Sequence, residues 1–183
     1  MKEPKQNRKT RYTRMVLQES LLELMVQKPI SKITIKELCE KADVNRTTFY
    51  AHYQDQYDLL RNIENDTLAW AEERIDTLIS KTEKRETIQV LEGILHYFAQ
   101  NSKYIQVLMS EQGDIDFQKK LLMLIYRKCD ITPAEGNSDL RELSFVFVVN
   151  GSIGMLQHWL KNNFDKPERE VAEIIYNMAS HIV

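Results

Sequence analysis

Glycine and proline are scarce in this chain, 5 and 4 among 183 residues. Each is a place where a helix would otherwise end, so their scarcity argues against a strand-rich or loop-rich fold. Cysteine is scarcer still. Cys39 and Cys129 stand too far apart for a CxxC motif and read as reduced structural thiols, with a redox pair as the other reading. No apolar run approaches the roughly 18 to 20 residues of a membrane span, and the basic, polar N-terminus has no apolar signal segment behind it. A cytoplasmic protein without membrane contact is expected, in which the Asn-x-Ser/Thr matches at Asn45, Asn65 and Asn150 carry no glycan. Gly-rich phosphate loops and nucleophile elbows are missing, and the four histidines, His52, His96, His158 and His181, form no i, i+4 metal pair. No enzyme activity, cofactor or metal is expected.

What is present suits a soluble helical chain of one or two domains with a sizeable core: 43% hydrophobic and 28% charged residues. The densest information lies between Thr34 and Tyr53. Thr34 and Glu37 have capping-box spacing, the Thr hydroxyl accepting an orphan backbone N–H while the Glu reaches back, so a helix should start at Ile35. Ile35, Leu38, Cys39 and Ala42 share one face. Asp43-Val44-Asn45 then makes a tight turn, because Asp tolerates a left-handed helix-ending conformation and Asn45 can cap the next helix. The whole reads as a helix-turn-helix.

In the second helix Phe49 and Tyr53 turn toward the first, while Thr47, Thr48 and Ala51 fall opposite, flanked by Tyr50 and His52. That outer face is small, polar and uncharged. Such a face lets a helix descend into a major groove, where hydroxyls bond base edges or phosphates and methyls touch thymine. Its N-terminal N–H groups would also face phosphate. Charge agrees: residues 1–53 hold eleven Lys and Arg against six Asp and Glu, a net of +5, and the remainder fourteen against twenty-one, a net of −7. An arm of Lys2, Lys5, Arg8, Lys9, Arg11 and Arg14 precedes a first helix expected at 13–27. It reads either as a phosphate-tracking segment or as a solvated tail.

With these residues in place, residues 10–60 resemble the DNA-binding domain of the TetR family of bacterial transcriptional regulators. Thr34-Ile35, Leu38-Cys39, Ala42-Asp43-Val44-Asn45, Thr48-Phe49-Tyr50, His52-Tyr53 and Leu59-Leu60 stand in the family's order. Three positions depart from it: Asp43 replaces the usual Gly, Cys39 replaces Ala, and Gln56 stands where a phosphate-binding Lys is common. The last leaves one backbone contact open. The resemblance implies an all-α fold, with a three-helix DNA-binding domain at 1–55 and a helical effector-binding and dimerisation domain at 56–183. It also implies a repressor, released by a small-molecule effector, that binds a pseudo-palindromic double-stranded operator as a homodimer. Thr47, Thr48, Tyr50 and His52 would read bases, and Thr34, Arg46, Lys9 and Arg11 would hold phosphates. A TetR-like protein that has lost operator binding and acts as a co-activator or interaction partner is the alternative, with Gln56 and the weakly charged recognition helix as its signs.

Beyond the motif a long fourth helix should begin near Asp55, followed by helices at 87–100, 104–110 and 115–129, with breaks at Gly113-Asp114 and 132–137. Residues 143–155 are apolar on almost every side, which needs cover on two faces. In 168–183, Val171, Ile174, Ile175, Met178, Ala179 and Ile182 share one stripe. These two segments look like the dimerising pair of such regulators, and Phe147, Gly151, Met155, Trp159, Val171, Ile175 and Met178 are expected at the interface. Closure of a monomer core is the other reading. The glycines there would permit close helix approach or leave room for a ligand. Trp70, His96, Tyr97, Met109, Phe117 and Tyr126, with Phe98 and Trp159, have the composition of an apolar effector cavity, or of ordinary core.

Overall fold

The computed structural model describes residues 8–81, 87–100, 102–110, 113–128 and 138–181. Lys2, Lys5, Cys129, the break at 132–137 and Ile182 lie outside the described residues. Among those described, the chain is all helical, with 9 helices and no strand. In order these are α1 (Arg8–Met25), α2 (Ile35–Lys41), α3 (Arg46–Tyr50), α4 (Gln56–Lys81), α5 (Thr87–Gln100), α6 (Ser102–Met109), α7 (Ile115–Lys128), α8 (Ser138–Lys161) and α9 (Glu168–His181). A 3-10 turn, Ile30–Lys32, follows Pro29.

Two compact units divide the chain, Met1–Thr67 and Leu68–Val183, so the first turns of α4 belong with the helix-turn-helix. Leu17, Leu21, Leu38, Phe49 and Leu59 are fully buried in the first unit, and Ile33, Met25 and Tyr53 nearly so. Apart from Ile33 and Tyr53, which lie between helices, these are the apolar positions that the 3.6-residue period puts on one face of each helix. Polar ties sit at the rim: Lys41 Nζ lies 2.9 Å from Glu23, and Lys28 Nζ donates to both Glu37 oxygens at 2.7 Å. α4 opens on Asp55, whose Oδ1 accepts the Asp58 N–H at 2.7 Å, while Asp58 Oδ2 accepts from the Gln54 backbone at 3.0 Å.

α1 begins earlier than the expected residue 13. Nothing between Arg8 and Thr13 breaks a helix, and Arg and Lys are good helix formers. Arg8, Lys9, Arg11 and Arg14 are therefore part of α1 and not of an arm that precedes it.

In the second unit α5 packs along α9, and α8 lies against α6 and α7. The inner face of α9 is Val171, Ala172, Ile175 and Ala179. α8 buries Val148, Val149, Ser152, Ile153, Leu156, Trp159 and Leu160. Its composition corrects one expectation, for Leu143–Lys161 is 19 residues with a mean hydropathy of 1.2, long and apolar enough to span a membrane by those measures alone. Asn150, Ser152, Gln157 and His158 interrupt the run and hold that average down. Polar groups also tie α6, α7 and α8 together. Buried Gln118 donates from Nε2 to the carbonyls of Leu108 at 2.9 Å and Ser110 at 2.8 Å, and its Oε1 accepts from Gln157 at 3.2 Å.

Candidate nucleic-acid interface

The turn between α2 and α3 is built as the sequence indicates. Thr34 Oγ1 accepts the Glu37 N–H at 3.2 Å and starts α2. The return half of the capping box is replaced, since the Glu37 carboxylate turns to Lys28. That ion pair, with the Lys28 hydrogen bond as the main cause, lowers the Glu37 pKa below the ordinary carboxylate value. At the far end Val44 N bonds Cys39 O at 2.9 Å and Asp43 N bonds Glu40 O at 3.4 Å. This is a Schellman closure, and Asp43 takes its left-handed position at φ 51°. Asn45 Oδ1 then accepts the Thr48 N–H at 2.7 Å and starts α3. One N–H of α3 expected to face phosphate is thereby already used.

α3 is short, and its anchor is Phe49, fully buried with its ring 5.9 Å from Tyr53. His52 and Tyr53 fall just after the helix, held by N–H bonds of 2.9 Å from each to Phe49 O. Opposite the anchor, Arg46, Thr47 and Ala51 are exposed, Thr48 and His52 are half-buried, and Tyr50 is 58% exposed with its ring edge on Phe49. Thr34, Lys9 and Arg11 are exposed as well. The surface offered is thus a hydroxyl and methyl face with one phenol, edged by cations. Lys36 shares a shallow groove at the turn with Arg46 and Asn45. Sequence reading left it out, although an exposed cation in the first turn of α2 is the signal that could have found it. Cys39 forms the groove's inner wall, and burial raises its thiol pKa.

The residues expected around an effector fall into three environments. Trp70 and Tyr97 stack at 3.6 Å with 22° between planes, both half-buried. Met109, Phe117 and Tyr126 are buried, and the Tyr126 hydroxyl bonds Ser152 Oγ. His96 lies at the surface, where Nδ1 meets Glu168 at 3.2 Å and Nε2 meets Gln100 at 2.8 Å, in a groove with Gln89, Glu92, Gly93 and Arg169 and away from the buried Met109, Phe117 and Tyr126. A titratable ring on an otherwise apolar helix settles where water reaches it.

The expected interface residues divide also. Phe147 (64% exposed), Gly151 and Met178 (56%) lie on the surface, with Met155 half-buried and Leu143, Val146 and Ile174 exposed beside them. Trp159, Val171 and Ile175 are buried within the single chain, at 2%, 3% and 5% exposure. Trp159 instead clasps the turn after α8, donating from Nε1 to Lys166 O at 2.9 Å with Phe164 edge-on at 4.9 Å.

An all-helical chain with a capped helix-turn-helix, a polar outer face on its second helix and a separate helical body belongs to the class of DNA-binding transcriptional regulators. Residues 19–63 match the family described as bacterial regulatory proteins, tetR family, and residues 85–181 match the one described as transcriptional regulator C-terminal region. The chain belongs to the TetR family. It is 23% identical over 177 residues to YxbF of Bacillus subtilis (strain 168), an uncharacterized HTH-type transcriptional regulator. That match covers 90% of this chain and 44% of the relative, so the chain spans less than half of that relative's length. The fold is that of a TetR transcriptional regulator from Streptococcus agalactiae 2603V, with a TM-score of 0.72, 20% identity and coverage of 95% and 97% of the two chains. It is also similar to the regulator FadR from Bacillus subtilis, whose structure is a complex with stearoyl-CoA, with a TM-score of 0.62, 14% identity and coverage of 92% and 98%.

Proposed function

We propose that this protein is a cytoplasmic, non-enzymatic repressor that binds a short pseudo-palindromic DNA duplex as a homodimer and leaves it on binding a small molecule. The observation that carries DNA reading is the α2–α3 turn, where two side-chain caps and a left-handed Asp43 fix a five-residue helix with Thr47 and Tyr50 outward. Thr47, Thr48, Tyr50 and His52 read base edges. Thr34, Lys36, Arg46, Lys9 and Arg11 hold phosphates. The dimer forms through α8 and α9, at exposed Phe147, Gly151 and Met178 and half-buried Met155, with Leu143 and Ile174 beside them, because exposed apolar side chains on both helices of a DNA reader with half-sites call for a second copy. The effector enters by the Trp70–Tyr97 stack toward Met109, Phe117 and Tyr126. Long-chain acyl compounds are the first class to screen, given the acyl-CoA on the similarly folded FadR.

Selection of bound sites from random duplex DNA tests the reading, with an inverted repeat as the expected product. Tyr50→Ala should abolish binding with the helical circular dichroism spectrum unchanged. Equal affinity for every sequence, or wild-type affinity in Tyr50→Ala, would sink the docking. Gln56, half-buried where the family commonly has Lys, favours the second reading, a regulator that acts through a protein partner. Failure to enrich any site would favour it.

A further inference from the structure

Arg14 stood in the sequence with the cations expected to seek phosphate, but its guanidinium is engaged within the first unit. Nε donates to the Tyr53 hydroxyl at 3.3 Å, and Nη2 stands 3.8 Å from Asp66 Oδ2. The same Asp66 oxygen accepts from Gln18 Nε2 at 3.2 Å. Gln18 lies one turn beyond Arg14, so a single carboxylate on α4 meets α1 at two consecutive turns. Tyr53, 3% exposed, rests its ring on Phe49, the anchor of α3. Arg14 itself is 29% exposed at the side chain.

α3 has one side-chain cap, Asn45 at its start, and its last turn is closed by backbone bonds alone. Its orientation therefore depends on what holds the residues that follow. We propose that Arg14 is a positioning residue for DNA recognition, fixing the end of the recognition segment to α4 through Tyr53 on one side and Asp66 on the other. The inference rests on the DNA-reading function proposed above. A guanidinium fork suits this task because it presents several N–H groups in fixed directions and reaches two acceptors at once, which an ammonium on a flexible stem does poorly. Arg8 and Arg11, on the same helix, are exposed instead. As α4 runs on to Lys81, a displacement of its first turns reaches Tyr53 by this route.

The test is binding of the full chain to its selected duplex, by fluorescence anisotropy over a salt series. Arg14→Ala, Arg14→Lys and Asp66→Asn should each weaken binding by about two- to fivefold, the scale of partly exposed ion pairs, and leave the salt slope unchanged. Lys9→Ala or Arg11→Ala, by contrast, should reduce the slope by about 0.9 each. Asp66→Asn removes a negative charge, so long-range electrostatics alone would tighten binding, and weakening identifies the lost positioning. The double variant Arg14→Ala/Asp66→Asn should be no weaker than the weaker single variant. A reduced slope in Arg14→Ala together with rescue by Arg14→Lys would make Arg14 a phosphate ligand and overturn the proposal. So would wild-type affinity in Asp66→Asn, whose side chain is 63% exposed and whose replacement should leave the fold intact, as circular dichroism would check. If the wild type binds no duplex, the proposed function fails. The tie itself is then read from backbone amide shifts at Phe49 and Tyr50 in Asp66→Asn, and their absence overturns the inference separately.

Discussion

Asp43 occupies a backbone conformation that L residues adopt at a steric penalty, φ 51°, between two hydrogen bonds that close α2. Glycine removes the penalty but adds freedom to the unfolded chain, so Asp43→Gly should melt within about 1 kcal/mol of the wild type. Asp43→Val should lose more than about 1 kcal/mol, because a branched Cβ crowds the following carbonyl there. Equal melting temperatures for the three proteins would contradict the left-handed assignment. Two residues on, Asn45→Ala leaves the Thr48 N–H without its acceptor and should cost about 1 kcal/mol in chemical denaturation. Glu37 carries a pH dependence of known sign. Its pKa is lowered in the folded state by Lys28, so the stability it contributes is present above the ordinary carboxylate range and is lost as pH falls through the folded value. Glu37→Gln should therefore be less stable than the wild type at neutral pH, with the difference closing in acid, as urea melts at several pH values would record. These features were legible in the sequence because Thr34, Asp43 and Asn45 act on backbone groups two or three residues away. The partner taken by the Glu37 carboxylate was not, for Lys28 lies outside the motif and meets it only after α1 and α2 have packed. Phe164, at φ 59° after α8, gave no warning either, since nothing about a phenylalanine favours that conformation until Trp159 supplies the clasp.

α5 and α9 each show one apolar stripe, and their extents were readable from periodicity because each buries one face only. α8 is different. It is apolar nearly all round, so spacing cannot divide the side that meets α6 and α7 from the side left to solvent, and the burial of Trp159 within the single chain was not legible from it. The separation makes a prediction in two parts. Ile175→Glu puts a charge into the packing between α9 and α5 and should unfold the subunit, at a penalty of several kcal/mol. Phe147→Glu and Met178→Glu alter exposed positions and should give folded monomers where the wild type sediments as a dimer, which runs of wild type and variants at micromolar concentration would check. Gly151 and Gly154 belong to the same argument, since a Cβ at either would meet nothing within 4 Å inside the subunit. A glycine inside a helix costs about 1 kcal/mol relative to alanine, and packing among the described residues gives no reason for two of them. Close approach of a second copy's backbone would supply one. Gly154→Ala should then raise the stability of a monomeric Phe147→Glu background and weaken the dimer otherwise; unchanged dimer affinity would return the glycines to the category of positions nothing explains.

At the scale of the whole molecule the charge is sorted, with +5 on residues 1–53 and −7 on the remainder, so attraction to a polyanion is concentrated where α3 and the first turns of α1 lie. α4 is the one described helix that belongs to both compact units, carrying Asp66 in the first, and Trp70, Glu72 and Asp76 in the second. In the second unit Lys128 Nζ lies 3.1 Å from Glu72 and 2.9 Å from Asp76, and those hydrogen bonds raise its pKa. A ligand that enters at the Trp70–Tyr97 stack therefore acts on the same helix that Asp66 ties to Arg14. If it prefers the α4 position incompatible with DNA by about 1 to 3 kcal/mol, operator affinity changes by roughly 5- to 150-fold. Binding linkage is reciprocal, so operator duplex must weaken the ligand by the same factor. A thermal-shift screen of acyl compounds and lipophilic cations should yield binders whose affinity, measured by calorimetry with and without duplex, differs by that factor. Asp66→Asn should shrink the difference while leaving affinity for the ligand in the absence of DNA unchanged. Binders that titrate identically with and without duplex would show that occupancy of the second unit is not coupled to DNA, and would leave a constitutive regulator as the account of the molecule.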